Sequence, residues 1–152
     1  MTSYELWLFL HIVAAIVWIG GAAVAQVFAV LAKRSDDPAR AAAFGRDISF
    51  VGLRVFLPSS IVVLVSGAFV TEEGNWDWSE PFIVFGLLAW GVVSLTAFGY
   101  VSRQMGRIGA QIAAEGPSPT LLGRVNTLVL IARVLILLLF VIVFVMVVKP
   151  GT

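Results

Sequence analysis

Long apolar stretches separated by short polar ones dominate the chain. Four of them, at residues 6–32, 48–71, 81–101 and 128–148, reach the roughly 20 residues that a helix needs to cross the ~30 Å apolar core of a bilayer. The polar stretches between them contain proline, glycine and charged residues, and they are short enough to connect antiparallel neighbours. The pattern predicts an all-α polytopic membrane protein, a four-transmembrane-helix antiparallel bundle that forms a single domain over residues 1–152.

The composition supports a membrane protein and excludes several other classes. Hydrophobic residues make up 60% of the 152 residues and charged residues 12%, which is outside the range of soluble domains. A net charge of +1 provides no basic field for nucleic acid, so we expect the lipid bilayer as the main partner and no nucleic acid. The chain has no cysteine, which excludes disulfides, thiolate metal sites and iron–sulfur clusters.

Basic residues concentrate on one side of the predicted bundle. The second connection is acidic and has no basic residue, and the positive-inside rule therefore predicts that the first and third connections are cytoplasmic and that both termini lie outside. Three tryptophans, Trp7, Trp76 and Trp78, fit an aromatic belt at the outer interface. We expect a multi-pass protein of a bacterial inner membrane. The basic residues on the predicted cytoplasmic side are Lys33, Arg34, Arg40, Arg46, Arg103, Arg107 and Arg124, and Lys149 is the basic residue on the opposite side.

The only histidine, His11, lies inside the first apolar stretch. An ionisable side chain at membrane depth is costly unless the protein provides a partner, so such a residue is a candidate for function. His11, Trp18 and Gln26 recur at three- and four-residue steps and are predicted to share one inward face of the helix. The simplest interpretation is a neutral imidazole that hydrogen-bonds a serine, a backbone carbonyl or a trapped water molecule.

Two arginines, Arg54 and Arg133, lie within the second and fourth spans, and no span contains an acidic residue that could neutralise them. Membrane arginines usually face the protein interior or water. We therefore predict that both point into the basic half of the bundle and form an anion site or polar cluster with Gln26 and Asn126. The alternative is that their side chains extend along the helix to lipid phosphates.

The second span also contains Pro58, which has no N–H to bond the carbonyl of Arg54 four residues earlier. Ser59 and Ser60 are predicted to bond the backbone at this kink. A possible internal repeat relates LRVFL around Arg54 to ARVLI around Arg133. This similarity suggests two parallel helical hairpin repeats, with both arginines at similar depth.

Several motifs resemble those of a bacterial family of predicted four-helix integral membrane proteins without an assigned function. They are LHIVAAIVWIGG in the first span, RVFLP in the second, the tryptophan-containing outer connection and the closing MVVKPG. More distantly, the first span resembles copper-resistance D-type membrane domains and haem-associated membrane protoporphyrinogen oxidases. This resemblance implies copper or haem binding at His11. The chain departs from these relatives because it has no second histidine and lacks the basic residue expected in the third helix of the oxidases.

No carboxylate pair, metal cluster or nucleophile–base pair can be assembled within the spans, so an enzyme is the less favoured class. We predict a small integral membrane protein that acts as a non-catalytic binding or accessory subunit, in a homo-oligomer or a larger membrane complex. One alternative is haem or copper handling through His11, with Trp18 beside the cofactor. Another is an oligomeric channel or carrier with an anion site at Arg54 and Arg133. Met146 matches His11 in depth, but it would face lipid if Arg133 points inward, because the two are about 140° apart on a helix.

The topology can be tested by cysteine labelling, because the chain has no native cysteine. Single cysteines at Ser35 and Ser79 should react with a membrane-impermeant reagent from opposite faces, and only Ser79→Cys should react in intact cells. Reaction of Ser35→Cys from outside would reverse the predicted orientation.

Overall fold

The computed structural model describes residues 2–150, which form four long helices. The described residues contain no strand. The predicted all-α fold with four membrane-spanning helices is therefore confirmed. The helices are α1 (Ser3–Arg34), α2 (Pro38–Glu73), α3 (Pro81–Glu115) and α4 (Pro119–Val148), and each is long and apolar enough to cross a membrane.

Each helix begins at residues that suit a helix N-terminus. At the start of α1, Thr2 and Glu5 form a reciprocal capping box. The other three helices begin with proline. Proline has no N–H, and this costs nothing in the first turn, because N–H groups there have no acceptor within the helix. Asp37 and Ser118 also cap α2 and α4 by accepting backbone N–H groups of the first turn.

The helices extend further on the basic side than hydropathy indicates. Residues 38–47 and 102–115 are helical, so the connections there are only residues 35–37 and 116–118. Hydropathy marks where lipid ends, whereas alanine, arginine and glutamine continue a helix into water. The end of α3 is set by Gly116, whose φ of 82° lies in the left-handed region that glycine adopts readily.

On the acidic side of the bundle, α1 and α2 form an antiparallel hairpin joined by polar and aromatic contacts. The hydroxyl of Ser3 donates to the carboxylate of Glu73. One turn deeper, the rings of Trp7 and Phe69 stack with their centroids 4.1 Å apart. His11 follows at the next turn and also contacts α2. These contacts fix the register of the hairpin.

The connection between α2 and α3 folds against the end of α4. Trp76 meets the ring of Phe82 edge-on at 5.4 Å, and the Nζ atom of Lys149 lies 4.1 Å from the centroid of the Trp76 ring. The indole of Trp78 donates to the carboxylate of Glu72 at 2.6 Å. The tryptophans of the α2–α3 connection thus link helix ends on the acidic side.

On the basic side, α2 and α3 approach closely where glycines face each other. A Cβ atom added to Gly45 would lie 2.9 Å from the carbonyl oxygen of Met105, and one added to Gly109 would lie 2.9 Å from that of Ala42. Real Cβ atoms do not approach backbone this closely, and backbone cannot rotate away as a side chain can. Small residues at such a contact are typical of membrane helix pairs.

The close contact predicts that Gly109→Ala lowers the free energy of unfolding by roughly 1–3 kcal/mol, the usual effect of overpacking. The measurement is the midpoint of thermal unfolding in detergent, followed by circular dichroism. Gly123→Ala is the matched control, because a Cβ there meets nothing within 4 Å. Equal midpoints for the two variants would contradict the proposed packing.

Candidate functional site

Three of the four helices contain a π-helical turn, and these turns meet inside the bundle. A π turn adds one residue to a helix, is rare, and often lies at a functional site. Aromatic residues of the turns form one cluster, in which the ring centroids of Trp18 and Phe98 are 5.9 Å apart and Phe56 lies in the same core. The turns are Ile16–Gly20 in α1, Gly52–Phe56 in α2 and Leu95–Val101 in α3.

The π turn of α2 has an identifiable cause in Pro58. Proline cannot donate to the carbonyl of Arg54, and the N–H of the preceding residue bonds a carbonyl five residues back instead of four. The hydroxyl of Ser59 donates to the carbonyl four residues back at 2.8 Å, and that of Ser60 donates three residues back at 2.9 Å. Both serines therefore bond the backbone as predicted, although neither hydroxyl donates to the carbonyl of Arg54.

The π turns border a cavity of about 80 Å³ between the four helices. They supply six of its 19 lining residues, among them Trp18, whose side chain is only 3% exposed. Along α3 the lining runs from Val93 to Met105, a distance of about 18 Å at 1.5 Å per residue. The cavity is thus elongated along the membrane normal, and its lining includes no titratable side chain.

Gln26 lines the cavity, and it is the lining residue of α1 that lies nearest the basic side. Its Oε1 atom is buried and has no hydrogen-bond partner among the described residues. An unpaired buried acceptor costs about 1–3 kcal/mol. Such an atom beside a cavity indicates an occupant that donates a hydrogen bond, whether water or the N–H or O–H group of a ligand.

His11 is half-buried between α1 and α2. Its Nδ1 atom lies 2.9 Å from the carbonyl oxygen of Val63, which can only accept, so Nδ1 carries the proton and donates. The hydroxyl of Ser66 is also nearby, 3.4 Å from Nδ1. Gly67 leaves room for the ring, because a Cβ there would lie 3.0 Å from the Cε1 atom. In the neutral imidazole, Nε2 retains its lone pair.

The residues around His11 do not fit a copper or haem site within one chain. Residues 2–150 contain no group of three or more His, Cys, Asp or Glu side chains that could hold a metal ion. Copper(I) favours thioether ligands, but Met146 packs against Gly86 of α3. Haem needs a pocket of several hundred Å³, whereas the central cavity has a volume of about 80 Å³ and is not lined by His11.

The two mid-span arginines lie on the surface of the helix bundle. Arg54 and Arg133 are exposed, as is Asn126, and the guanidinium of Arg54 lies 5.9 Å from the ring centroid of Phe50. This differs from the expectation that both arginines point into the bundle. Within the apolar part of α4, residues 128–148, Arg133 is the only charged or polar residue and apolar residues lie on every side, so hydropathy could not indicate which side faces inward. Of the predicted polar cluster, only Gln26 faces the interior, and anion binding by the others stays a prediction.

The position of Met146 follows from the same rotation of α4. The predicted separation of about 140° between Met146 and Arg133 agrees with the structure, but the inward and outward sides are exchanged. Met146 packs against Gly86, while Arg133 is exposed. Likewise, the proposed hairpin repeat is imperfect, because Arg54 lies in a π turn and Arg133 in a regular helix.

The geometry at His11 predicts no haem-type absorption in wild-type protein purified from cells supplied with haem, because one chain offers a single ligand and no suitable pocket. The visible spectrum and metal analysis are the measurements. A Soret band in the wild type that disappears in His11→Ala would contradict this prediction, and it would identify His11 as an axial ligand.

Comparison with known families gives one result, which covers nearly the whole chain. The family described as predicted integral membrane protein (DUF2269) matches residues 5–150, and the chain belongs to this family. The resemblance to a membrane protein family is confirmed, whereas the more distant one to copper-resistance D-type and oxidase domains gains no support. No curated protein and no solved structure matches the chain.

Proposed function

We propose that this integral membrane protein of the DUF2269 family is a non-catalytic binding subunit. Its ligand is a single apolar chain that carries a hydrogen-bond donor at one end, held in the cavity between the four helices. The observation that carries the proposal is an elongated apolar cavity with one unpaired acceptor, Gln26 Oε1, near its basic end.

The shape of the cavity supports a chain-like ligand. Its lining extends over about 18 Å of α3, but it encloses only about 80 Å³, so it is narrow. Its walls are mainly aliphatic and aromatic side chains, which favour a short alkyl chain over a polar molecule. Such molecules are dissolved in the surrounding bilayer.

The position of Gln26 supports a ligand with a polar end. A short-chain alcohol could place its O–H group at Gln26 Oε1 and extend its alkyl chain toward Trp18. The polar end would then lie near the basic membrane surface, where it could be solvated during entry and exit. A plain alkane would leave the acceptor unpaired and should bind less tightly.

The chemistry of the lining favours binding over catalysis. Among the lining residues no side chain can act as a general acid, a general base or a charged electrophile. The alternatives have less support: His11 lacks a second ligand within the described chain, and the exposed Arg54 and Arg133 do not line a path through it.

The proposal predicts different effects for the polar end and the chain of the ligand. Wild-type protein in detergent should bind a radiolabelled short-chain alcohol saturably and about tenfold more tightly than the matching alkane, since about 1.4 kcal/mol separates a paired acceptor from an unpaired one. Gln26→Leu should remove this preference. The same variant should raise the unfolding temperature of ligand-free protein, because it removes the unpaired acceptor.

A cavity-filling variant provides the second test. Ala132→Leu adds volume within the lining and should abolish binding, whereas Ala113→Leu makes the same change at an exposed position of α3 and should not. Retained binding in Ala132→Leu, or no saturable binding in the wild type, would exclude the cavity as the binding site.

A further inference from the structure

A second concave site lies at the basic end of the bundle, between α3 and α4. It is a polar groove of about 380 Å³, separate from the central cavity. Tyr100 and Gln104 project into it from α3, where they are one turn apart. Thr120, Gly123 and Arg124 line it from α4. We refer to this feature as the α3–α4 groove.

The groove has an apolar floor and an open centre. Ile108 and Leu128 form the floor and are almost completely buried, at 2% and 3% exposure. Gly123 lies in its wall, and a Cβ atom added there would meet nothing within 4 Å. A larger residue at this position would occupy space that the present sequence leaves empty.

Each polar side chain of the groove can donate a hydrogen bond. Arg124 contributes a guanidinium, Gln104 an amide and Tyr100 a phenol. The hydroxyl of Thr127 is already used as a donor to the carbonyl of Gly123 at 3.1 Å. Among the described residues no acidic side chain pairs with Arg124. The groove therefore presents an uncompensated positive charge surrounded by hydrogen-bond donors.

The depth of the groove matches that of lipid headgroups. Counted from Val148 at the opposite end of α4, a ~30 Å apolar core spans about 20 residues and ends near Leu128. Arg124 then lies about 6 Å and Thr120 about 12 Å beyond the apolar core at 1.5 Å per residue. The floor of the groove thus borders the hydrocarbon, and its donors lie in the interfacial region.

We propose that the α3–α4 groove binds the headgroup of an anionic phospholipid from the basic-side leaflet. The phosphodiester contacts Arg124, the donors of Gln104 and Tyr100 bond the remaining headgroup oxygens, and the acyl chains continue along the apolar surface next to the floor. Basic pockets between membrane helices on the positive side are suited to this chemistry. A free phosphate ion would gain nothing from the apolar floor or from the depth of the site.

The test measures lipid selectivity by electron spin resonance of spin-labelled lipids in the reconstituted full-length protein. Wild type should associate with phosphatidylglycerol more strongly than with phosphatidylcholine. Arg124→Gln should lower this ratio about fivefold, the typical contribution of one basic residue near a membrane surface. Gly123→Leu keeps every charge but fills the groove, and it should lower the ratio similarly.

The matched control is Arg40→Gln, which removes one exposed positive charge outside the groove and should leave the ratio unchanged. An equal loss in Arg40→Gln would show general surface attraction and overturn the proposal. Wild-type selectivity in Gly123→Leu would exclude the groove even if Arg124→Gln failed to fold. Saturable binding of glycerol phosphate to the detergent-solubilised protein, without lipid selectivity, would identify a soluble anion as the ligand.

Discussion

Inside a bilayer a polar group cannot replace a lost partner with water, and this constraint explains the local geometry of the bundle. At Pro58 the helix loses one backbone hydrogen bond, and α2 adopts a π turn while two serine hydroxyls bond nearby carbonyls. His11 obeys the same rule by donating to the carbonyl of Val63. In each case a backbone carbonyl with a second lone pair receives the additional donor.

Trp90 extends this arrangement to the contact between hairpins, because its indole donates to the carbonyl of Ser60 at 3.0 Å. His11 and Trp90 are thus paired across helices, whereas the buried Oγ atom of Ser94 in α3 has no partner among the described residues. Gln26 is the informative exception on the lining of the cavity, since its Oε1 atom has no partner in the described chain. The same rule that accounts for His11 therefore identifies Gln26 as the residue of the cavity lining that can accept a hydrogen bond from a bound molecule.

Sequence patterns predicted the four spans, the inward position of Trp18 and a hydrogen-bonded His11, because these depend on local hydropathy and on the cost of burying polar groups. They left a serine, a backbone carbonyl and a water molecule as alternative partners of His11, and the structure places its Nδ1 atom 2.9 Å from the carbonyl oxygen of Val63. The helical periodicity that placed His11 and Gln26 on one face of α1 was a less accurate guide. It assumed a regular helix, but the π turn Ile16–Gly20 lies between them. The hydrogen-bond partners of His11 consequently all lie in α2, whereas Gln26 lines the central cavity.

The orientation of α4 about its own axis could not be predicted for a different reason. Its residues are apolar on every side, so the contact of Met146 with Gly86 decides which face is inward, and that contact joins residues 60 positions apart. Neither the cavity nor the α3–α4 groove could be predicted either. Both depend on the empty space left by several helices, which no periodicity within one helix records.

The central cavity also has a mechanical consequence for the bundle. Internal voids contribute to the volume decrease on unfolding, so hydrostatic pressure favours the states that eliminate them. With about 80 Å³ of empty space among its packed helices, the ligand-free bundle is most compressible at the level of the π turns. A molecule that filled this space would make the basic half of the bundle stiffer without adding any contact between the helices themselves.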